Sequence, residues 1–301
     1  MGDAEPFEAH RPQLRAVAYR MLGSLAEAED AVQDTWLRYD RTDTSGVENL
    51  GGWLTTVIGR LCLNRLRARA SRREESFESR TEAGVEEPPR IPDPLIGRAD
   101  APDPEQEVLL ADSVGLALMV VLESLSPAER VAFVLHDLFA VPFEEIAPLI
   151  ERTAATTRQL ASRARRKVRG RAPAPDRDLA RQRVAVDAFF AATRTGDLDA
   201  LLAVLDPEVV LRADGGAGRE RRPVLLAGAR TVAGQAVMFR ALSPYARPAL
   251  VNGAAGVVVI GANGRPVSVM AFTVVGGVIV AIDVLSEPER LAALDLTAFA
   301  D

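Results

Sequence analysis

From about Phe7 to Glu75 apolar residues recur at three- and four-residue spacing, and few positions alternate with the period of two that a strand needs. This part of the chain therefore predicts helices. In GSLAEAEDAVQDTWLRY, Gly23 to Tyr39, the residues Leu25, Ala28, Val32, Trp36 and Tyr39 share one helical face, while Glu27, Asp30 and Asp34 lie on the opposite one. Between Glu78 and Glu107 the periodicity lapses into proline, glycine and acid, which reads as a partly extended linker and a domain boundary. Helical spacing returns from Val108 to about Arg171, and RAPAPDRD, Arg171 to Asp178, makes a second, shorter break. Beyond it the pattern predicts helices at about Leu179–Thr193 and Leu198–Leu205. The β-branched runs PEVVL, GVVVI, PVSVMAFTVV and VIVAIDVL follow, with GANGR and GG as hairpin signals. The expected organisation is thus multidomain: an all-α domain over 1–76, a Pro-rich linker over 77–107, a second all-α domain over 108–171, a short linker over 172–178 and an α+β domain over 179–301.

The second helical segment carries its own punctuation. In LSPAER, Ser126 is an N-cap candidate, Pro127 suits the first helical position and Glu129 completes a capping box. A short helix over FEEIAPLI, a turn through Glu151 and Arg152, and a last helix capped by Thr153 form a helix-turn-helix pattern. Pro148 forfeits a backbone hydrogen bond inside the first helix of that pair, so this helix is kinked or very short. On the last helix Thr157, Leu160, Ala161, Ala164 and Val168 fall on one side, with Arg158, Ser162, Arg165 and Arg169 on the other.

Charge changes the picture at this point. The chain of 301 residues has a net charge of -6, yet Thr157 to Gly170 contains no carboxylate. A second basic stretch, GGWLTTVIGRLCLNRLRARASRREE, has Arg60, Arg65, Arg67, Arg69, Arg72 and Arg73 before its first acid, Glu74. Arginines on a helix inserted in a major groove reach guanine edges, and flanking Arg163, Arg166 and Lys167 neutralise phosphate. Two basic helices on either side of a linker predict DNA contact at two places, their spacing forming part of recognition. The acidic face of Glu27, Asp30 and Asp34 reads either as a solvated helix face or as a docking surface for a basic partner. With 48% hydrophobic residues the chain is not a disordered one. A lone cysteine, Cys62, excludes an internal disulfide and points to a reducing, cytoplasmic setting. Neither a signal peptide nor an apolar run long enough for a membrane span is expected. His10 and His136 lack partners at metal-ligand spacing, and the nucleotide-binding glycine patterns are missing, so neither metal nor cofactor is expected.

AEDAVQDTWLR, then GWLTTVIGRLCLNRLRARASRRE, then LSPAERVAFVLHDLFAVPFEEIAPLIERTAATTRQLASRARRKV closely resemble bacterial sigma factors of the extracytoplasmic-function (ECF) class. Order, spacing and residue types match over most of residues 7–170. The resemblance implies sigma region 2 in the first domain and the helix-turn-helix of region 4 in the second, with core RNA polymerase and promoter DNA as partners. It implies a polymerase-binding surface at Glu27, Asp30, Gln33, Asp34 and Leu37. It further implies that Arg60, Asn64, Arg67, Arg69, Arg72 and Arg73 read the downstream promoter element. Thr156, Arg158, Gln159, Ser162, Arg163, Arg165, Arg166 and Arg169 would read the upstream one. The remaining residues resemble the SnoaL-like cone, a helix-rich start followed by a curved sheet, which one ECF subgroup carries as a fused regulator. RIPDPLI, with Pro92, Asp93 and Pro94, resembles that subgroup's linker motif, although Arg90 and Ile91 stand where an aromatic and a leucine are usual. ADGGAGR, with Asp214, Gly215, Gly216 and Arg219, resembles its Asp-Gly-Gly motif, interrupted by Ala217.

SnoaL-like cones elsewhere include enzymes, which need a general acid or base in an apolar pocket. This tail has no histidine and one tyrosine, Tyr245, and its strand residues Val257, Val259, Val269, Ala271, Val278 and Val280 offer an apolar wall. Such a wall suits a small apolar ligand better than proton transfer. Asp199 reads as an exposed helix-start residue and Asp214 as a loop acid bonding its own backbone, leaving Asp283 as the acid hardest to explain away. No catalytic residue is assigned. The alternatives are a ligand-responsive DNA-binding regulator that works without polymerase and a sigma-like protein fused to an enzyme.

Overall fold

The protein is described here by a computed structural model covering residues 4–78, 90–99, 115–171, 174–214 and 223–299, of which 73–78 are described by backbone alone. The chain packs as two compact units, residues 1–86 with 121–171 and residues 87–120 with 172–301.

The first unit is helical. Helices α1 (Ala4–Leu22), α2 (Leu25–Asp40) and α3 (Leu50–Glu78) pack around Phe7, Leu14, Val32, Leu54 and Ile58, all buried. Ser24 caps α2 through the Glu27 amide, and the Phe7 ring meets Trp36 edge-on at 5.0 Å. Cys62 is buried, and burial pushes its thiol up to about 12, which leaves it inert as a nucleophile. After α4 (Leu116–Glu123), the Ser126–Glu129 capping box opens α5 (Pro127–Phe133), which runs on as a π-helical turn, Val134–Leu138. Helix α6 (Phe143–Leu149) is very short, seven residues, and Pro148 lies in its last turn, where it forfeits one i→i−4 hydrogen bond just before the helix ends. Glu151, at φ 56°, turns the chain, Thr153 accepts from the Thr156 amide at 3.2 Å, and α7 (Ala154–Arg171) follows. Helix α3 lies against α5, α6 and the π-turn: Gly59 is closely approached by the Leu135 and Leu149 side chains. Arg130, 2% exposed, pairs with Glu123 at 2.8 Å and donates to the Arg20 carbonyl at 3.2 Å, joining α5 to the end of α1.

The second unit is α+β. Asp178 caps α8 (Leu179–Thr195), Gly196 ends it at φ 72°, and Asp197 caps α9 (Leu198–Val204). Seven strands form one sheet in the order β1-β4-β5-β6-β7-β2-β3. They are β1 (Ile96–Arg98), β2 (Leu205–Ala213), β3 (Val224–Ala227), β4 (Ala246–Val251), β5 (Ala254–Ile260), β6 (Pro266–Val275) and β7 (Val278–Leu285). All neighbours are antiparallel except β2 and β7. Helices α8, α9 and α10 (Ala229–Met238) cover one face, with Phe189, Phe190 and Phe272 meeting edge to face in its core. This is the helix-rich start and following sheet that the resemblance to a SnoaL-like domain implies. A short α11 (Pro288–Ala292) packs against β6.

The second break in the helical pattern ends in a clamp. The Asp176 carboxylate accepts from the Gly276 and Gly277 amides of the β6–β7 turn, both at 2.9 Å. Its pKa is lowered, chiefly by the Gly276 amide, so the clamp contributes stability above the ordinary carboxylate range and loses it as pH falls through the lowered value. Asp176→Ala is expected to speed hydrogen exchange at Gly276 and Gly277 relative to wild type near neutral pH, with the difference fading in acid.

Candidate functional site

The α7 surface is the first candidate. Thr157, Ala161 and Ala164 are buried, and Leu160 and Val168 half-buried, as the helical wheel predicts. Arg158, Gln159, Ser162, Arg163, Arg166 and Arg169 are exposed, while Thr156 is partly covered within the Thr153 cap. Arg158 lies over the Phe143 ring at 5.2 Å and 3.9 Å from Glu144, close enough to be oriented and too far to be consumed. Arg165 departs from the expected stripe: it is partly buried, and its Nε donates to Asp137 of the π-turn at 2.6 Å. At 100° per residue it borders the Ala161–Ala164 side, so the helix spends it on its own support. Lys167 is likewise tied, to Glu129 at 2.9 Å. Burial alone would raise the Glu129 pKa, but its hydrogen bonds to Lys167 and Ser126 leave it lowered, so the pair is ionic.

On α3, Arg60, Asn64, Arg67 and Arg72 are exposed, and the Arg73 side chain lies outside the described residues. Arg67 donates to Glu151, in the turn of the helix-turn-helix, at 3.3 Å. Arg69 pairs with Glu27 and donates to the Leu22 carbonyl at 2.8 Å; Arg65 pairs with Asp34 at 2.8 Å. Two acids of the α2 surface thus hold α3, and Asp30, Gln33 and Leu37 are the exposed remainder.

The third candidate joins three distant parts of the chain within the second unit. The Arg290 guanidinium on α11 donates to Asp93 from Nε at 3.0 Å and Nη2 at 2.5 Å, and to the Ile91 carbonyl at 2.7 Å. Its Nη1 lies 3.7 Å from Asp214. The loop that follows Asp214, whose backbone the sequence predicts it to bond, lies outside the described residues. Asp214 accepts from the Ser286 amide and hydroxyl at 2.9 Å and the Glu287 amide at 3.2 Å, because the end of β2 runs beside the end of β7 and the start of α11. Ile91, Pro92 and Pro94 are buried and Asp93 is half-buried. Gly215, Gly216 and Arg219 lie outside the described residues. Nothing local in the sequence marks Arg290 or Asn252, whose side chain accepts from the Leu95 amide at 3.0 Å.

Asp283, 1% exposed, points away from the helix-covered face: its neighbours Ile282 and Val284 pack with the core cluster, and strand alternation puts Asp283 behind them. It pairs with Arg212 at 2.8 Å; burial raises its pKa while the guanidinium opposes that rise. Val269 and Ala271 also belong to that opposite face, since Met270 and Phe272 pack with Val257, so the expected apolar wall was drawn from two faces. Among the described residues no group of three or more His, Cys, Asp or Glu is placed to hold a metal, and no helix is long and apolar enough to cross a membrane.

The families Sigma-70 region 2 and Sigma-70 region 4 match residues 6–72 and 115–168. The ECF RNA polymerase sigma factor SigJ of Mycobacterium tuberculosis is 45% identical over 215 residues, 70% of this chain and 65% of that relative. The probable ECF RNA polymerase sigma factor SigI of the same organism is 37% identical over 295 residues, 96% of this chain and 94% of the relative. The crystal structure of Mycobacterium tuberculosis SigJ superposes with a TM-score of 0.75 at 34% identity, covering 98% of this chain and 100% of that one.

Proposed function

This chain belongs to the extracytoplasmic-function sigma factors, and from that premise we propose that its α7 face reads the upstream promoter element, α3 the downstream one, and the C-terminal unit restrains both. As a sigma factor it directs promoter-specific initiation by RNA polymerase. The observation that carries the assignment of α7 is its exposed, acid-free face of Arg158, Gln159, Ser162, Arg163, Arg166 and Arg169. Arg165 and Lys167 brace the helix instead. On α3, Arg60, Asn64, Arg67, Arg72 and Arg73 contact DNA, while Arg69 serves as a strut to Glu27. Asp30, Gln33 and Leu37 form the polymerase-facing surface, with Glu27 and Asp34 fixing α3 behind it. The Arg67–Glu151 pair suggests that the packing of α3 on the helix-turn-helix parts before Arg67 meets DNA.

Transcription in vitro with core polymerase and this protein as the only added factor tests the reading. Arg158→Ala is expected to lower promoter-specific product about tenfold, the loss of one good base contact. Its binding to core polymerase stays unchanged. A regulator that works without polymerase would yield no specific product from the wild-type chain.

The regulatory part rests on the Asp93–Arg290–Asp214 bridge, which attaches the linker motif to the C-terminal unit. Residues held there cannot extend to let the two readers reach separated DNA elements. A small apolar ligand in the cone has weaker support, because the apolar cluster that would receive it is occupied by Phe189, Phe190 and Phe272. The relatives matched, SigJ over 65% of its length and SigI over 94%, are named as sigma factors.

A further inference from the structure

Building on that regulatory reading, we propose that the β4 edge of the C-terminal unit is a peptide-recognition groove. Its resident ligand is residues 91–98 of the same chain, and it accepts that sequence in trans. The segment is read in three ways. Its backbone enters the sheet: Ile96, Gly97 and Arg98 pair antiparallel with Val251, Leu250 and Ala249. Asn252 adds a further rung, its amide donating to the Leu95 carbonyl at 2.7 Å and its Oδ1 accepting from the Leu95 amide at 3.0 Å. The side chain can fold back to do so because Asn252 sits at φ 48°, beside Gly253 at φ 76°, in the β4–β5 turn. Left-handed backbone of this kind suits asparagine and glycine. The second reading is apolar, through buried Ile91, Pro92 and Pro94. The third is ionic: Arg290 grips the Asp93 carboxylate and the Ile91 carbonyl together, a geometry that requires an acid two residues after the aliphatic one.

An extended peptide added to a sheet edge draws affinity from main-chain hydrogen bonds and specificity from pockets for its side chains. Here the two prolines hold the peptide near its bound shape beforehand, which lowers the entropy lost on docking. The ladder is short for a physical reason. The next β4 residue, Pro248, has no N–H to give, and among the described residues pairing ends at Ala249. So few rungs can be left and re-formed, and the groove selects an aliphatic–Pro–acid–Pro–aliphatic pattern.

In the intact chain the linker competes at the effective concentration set by its own tether, so a free peptide gains access only when the resident copy is weakened. The test uses a fluorescent peptide of residues 90–99, RIPDPLIGRA, and full-length protein, with binding read by anisotropy. The peptide is expected to bind the Asp93→Ala chain at least about tenfold more tightly than wild type, the loss of one charge-assisted contact from the resident copy. An Ile91→Ser chain, which releases the linker without changing charge, is expected to behave alike. The same peptide carrying Asp93→Ala is expected to bind at least about tenfold more weakly, a comparison that leaves the protein unaltered. Absence of saturable binding to both release variants, or equal binding of a scrambled peptide, overturns the proposal. Peptide binding is read without transcription, so its failure leaves restraint by the C-terminal unit to be judged on promoter output alone.

Discussion

Arg290→Ala is expected to raise promoter-specific transcription several-fold and to destabilise the C-terminal unit by about 3 kcal/mol, the order seen when one member of a buried ion pair is removed. Arg290 contacts both Asp93 and Asp214, whose side chains are 15% and 6% exposed. Without it Asp93 loses its guanidinium, while Asp214 keeps three hydrogen bonds from Ser286 and Glu287. The linker should therefore detach while Asp214 still holds the segment that leads into α11. Urea unfolding separates the two effects from simple collapse: a lowered midpoint with an unchanged slope marks a weakened fold that remains cooperative. Arg290→Lys keeps the charge but not the fork that bonds Asp93 and the Ile91 carbonyl together, and is expected to fall between the two. Unaltered output from both variants across promoters would remove the regulatory reading.

The second large effect lies in the helical unit. Arg130→Met should cost about 3–5 kcal/mol, because it takes the guanidinium from Glu123, 9% exposed at its side chain, and removes the bonds from Arg130 to the Arg20 carbonyl. For a unit of this size that corresponds to a fall in Tm of about 10 °C. Adding Glu123→Leu to Arg130→Met should recover most of the loss, since a buried pair replaced as a whole by apolar groups is often close to neutral. Thermal melts of the two single variants and the double variant give the coupling energy directly. Additive single losses would mean that the two side chains do not act as a pair.

The helical parts of this chain were legible because their signals are local. Ser126 and Glu129, Thr153, Asp178, Gly196 and Asp197 all sit within a few residues of the amide or turn they serve. The two long central hairpins were equally legible, since β6 and β7 alternate or run apolar for eight residues or more. Strands β1, β3 and β4 carry no such pattern. The first hides in a proline run and becomes a strand only because Asn252 and β4 receive it. The third carries Pro248, which argues against a strand until it is seen beside an edge. The candidate site divides in the same way. Helical periodicity placed the α7 face well, with Arg165 misplaced at its border. By contrast, the partner of Asp93 lies 197 residues away, and no spacing rule reaches that far.

The short strand contributed by the linker also bears on how this protein can be divided. A sheet edge with unpaired amides and carbonyls is a template for other chains. A fragment begun at the apparent start of the C-terminal domain, near Leu179, would lack residues 96–98 and leave the β4 edge uncovered, with buried Val251 and Ala249 beside it. The compact units of this chain are therefore not contiguous in its sequence. The natural boundary of its last domain runs through a segment that precedes the DNA-reading helix.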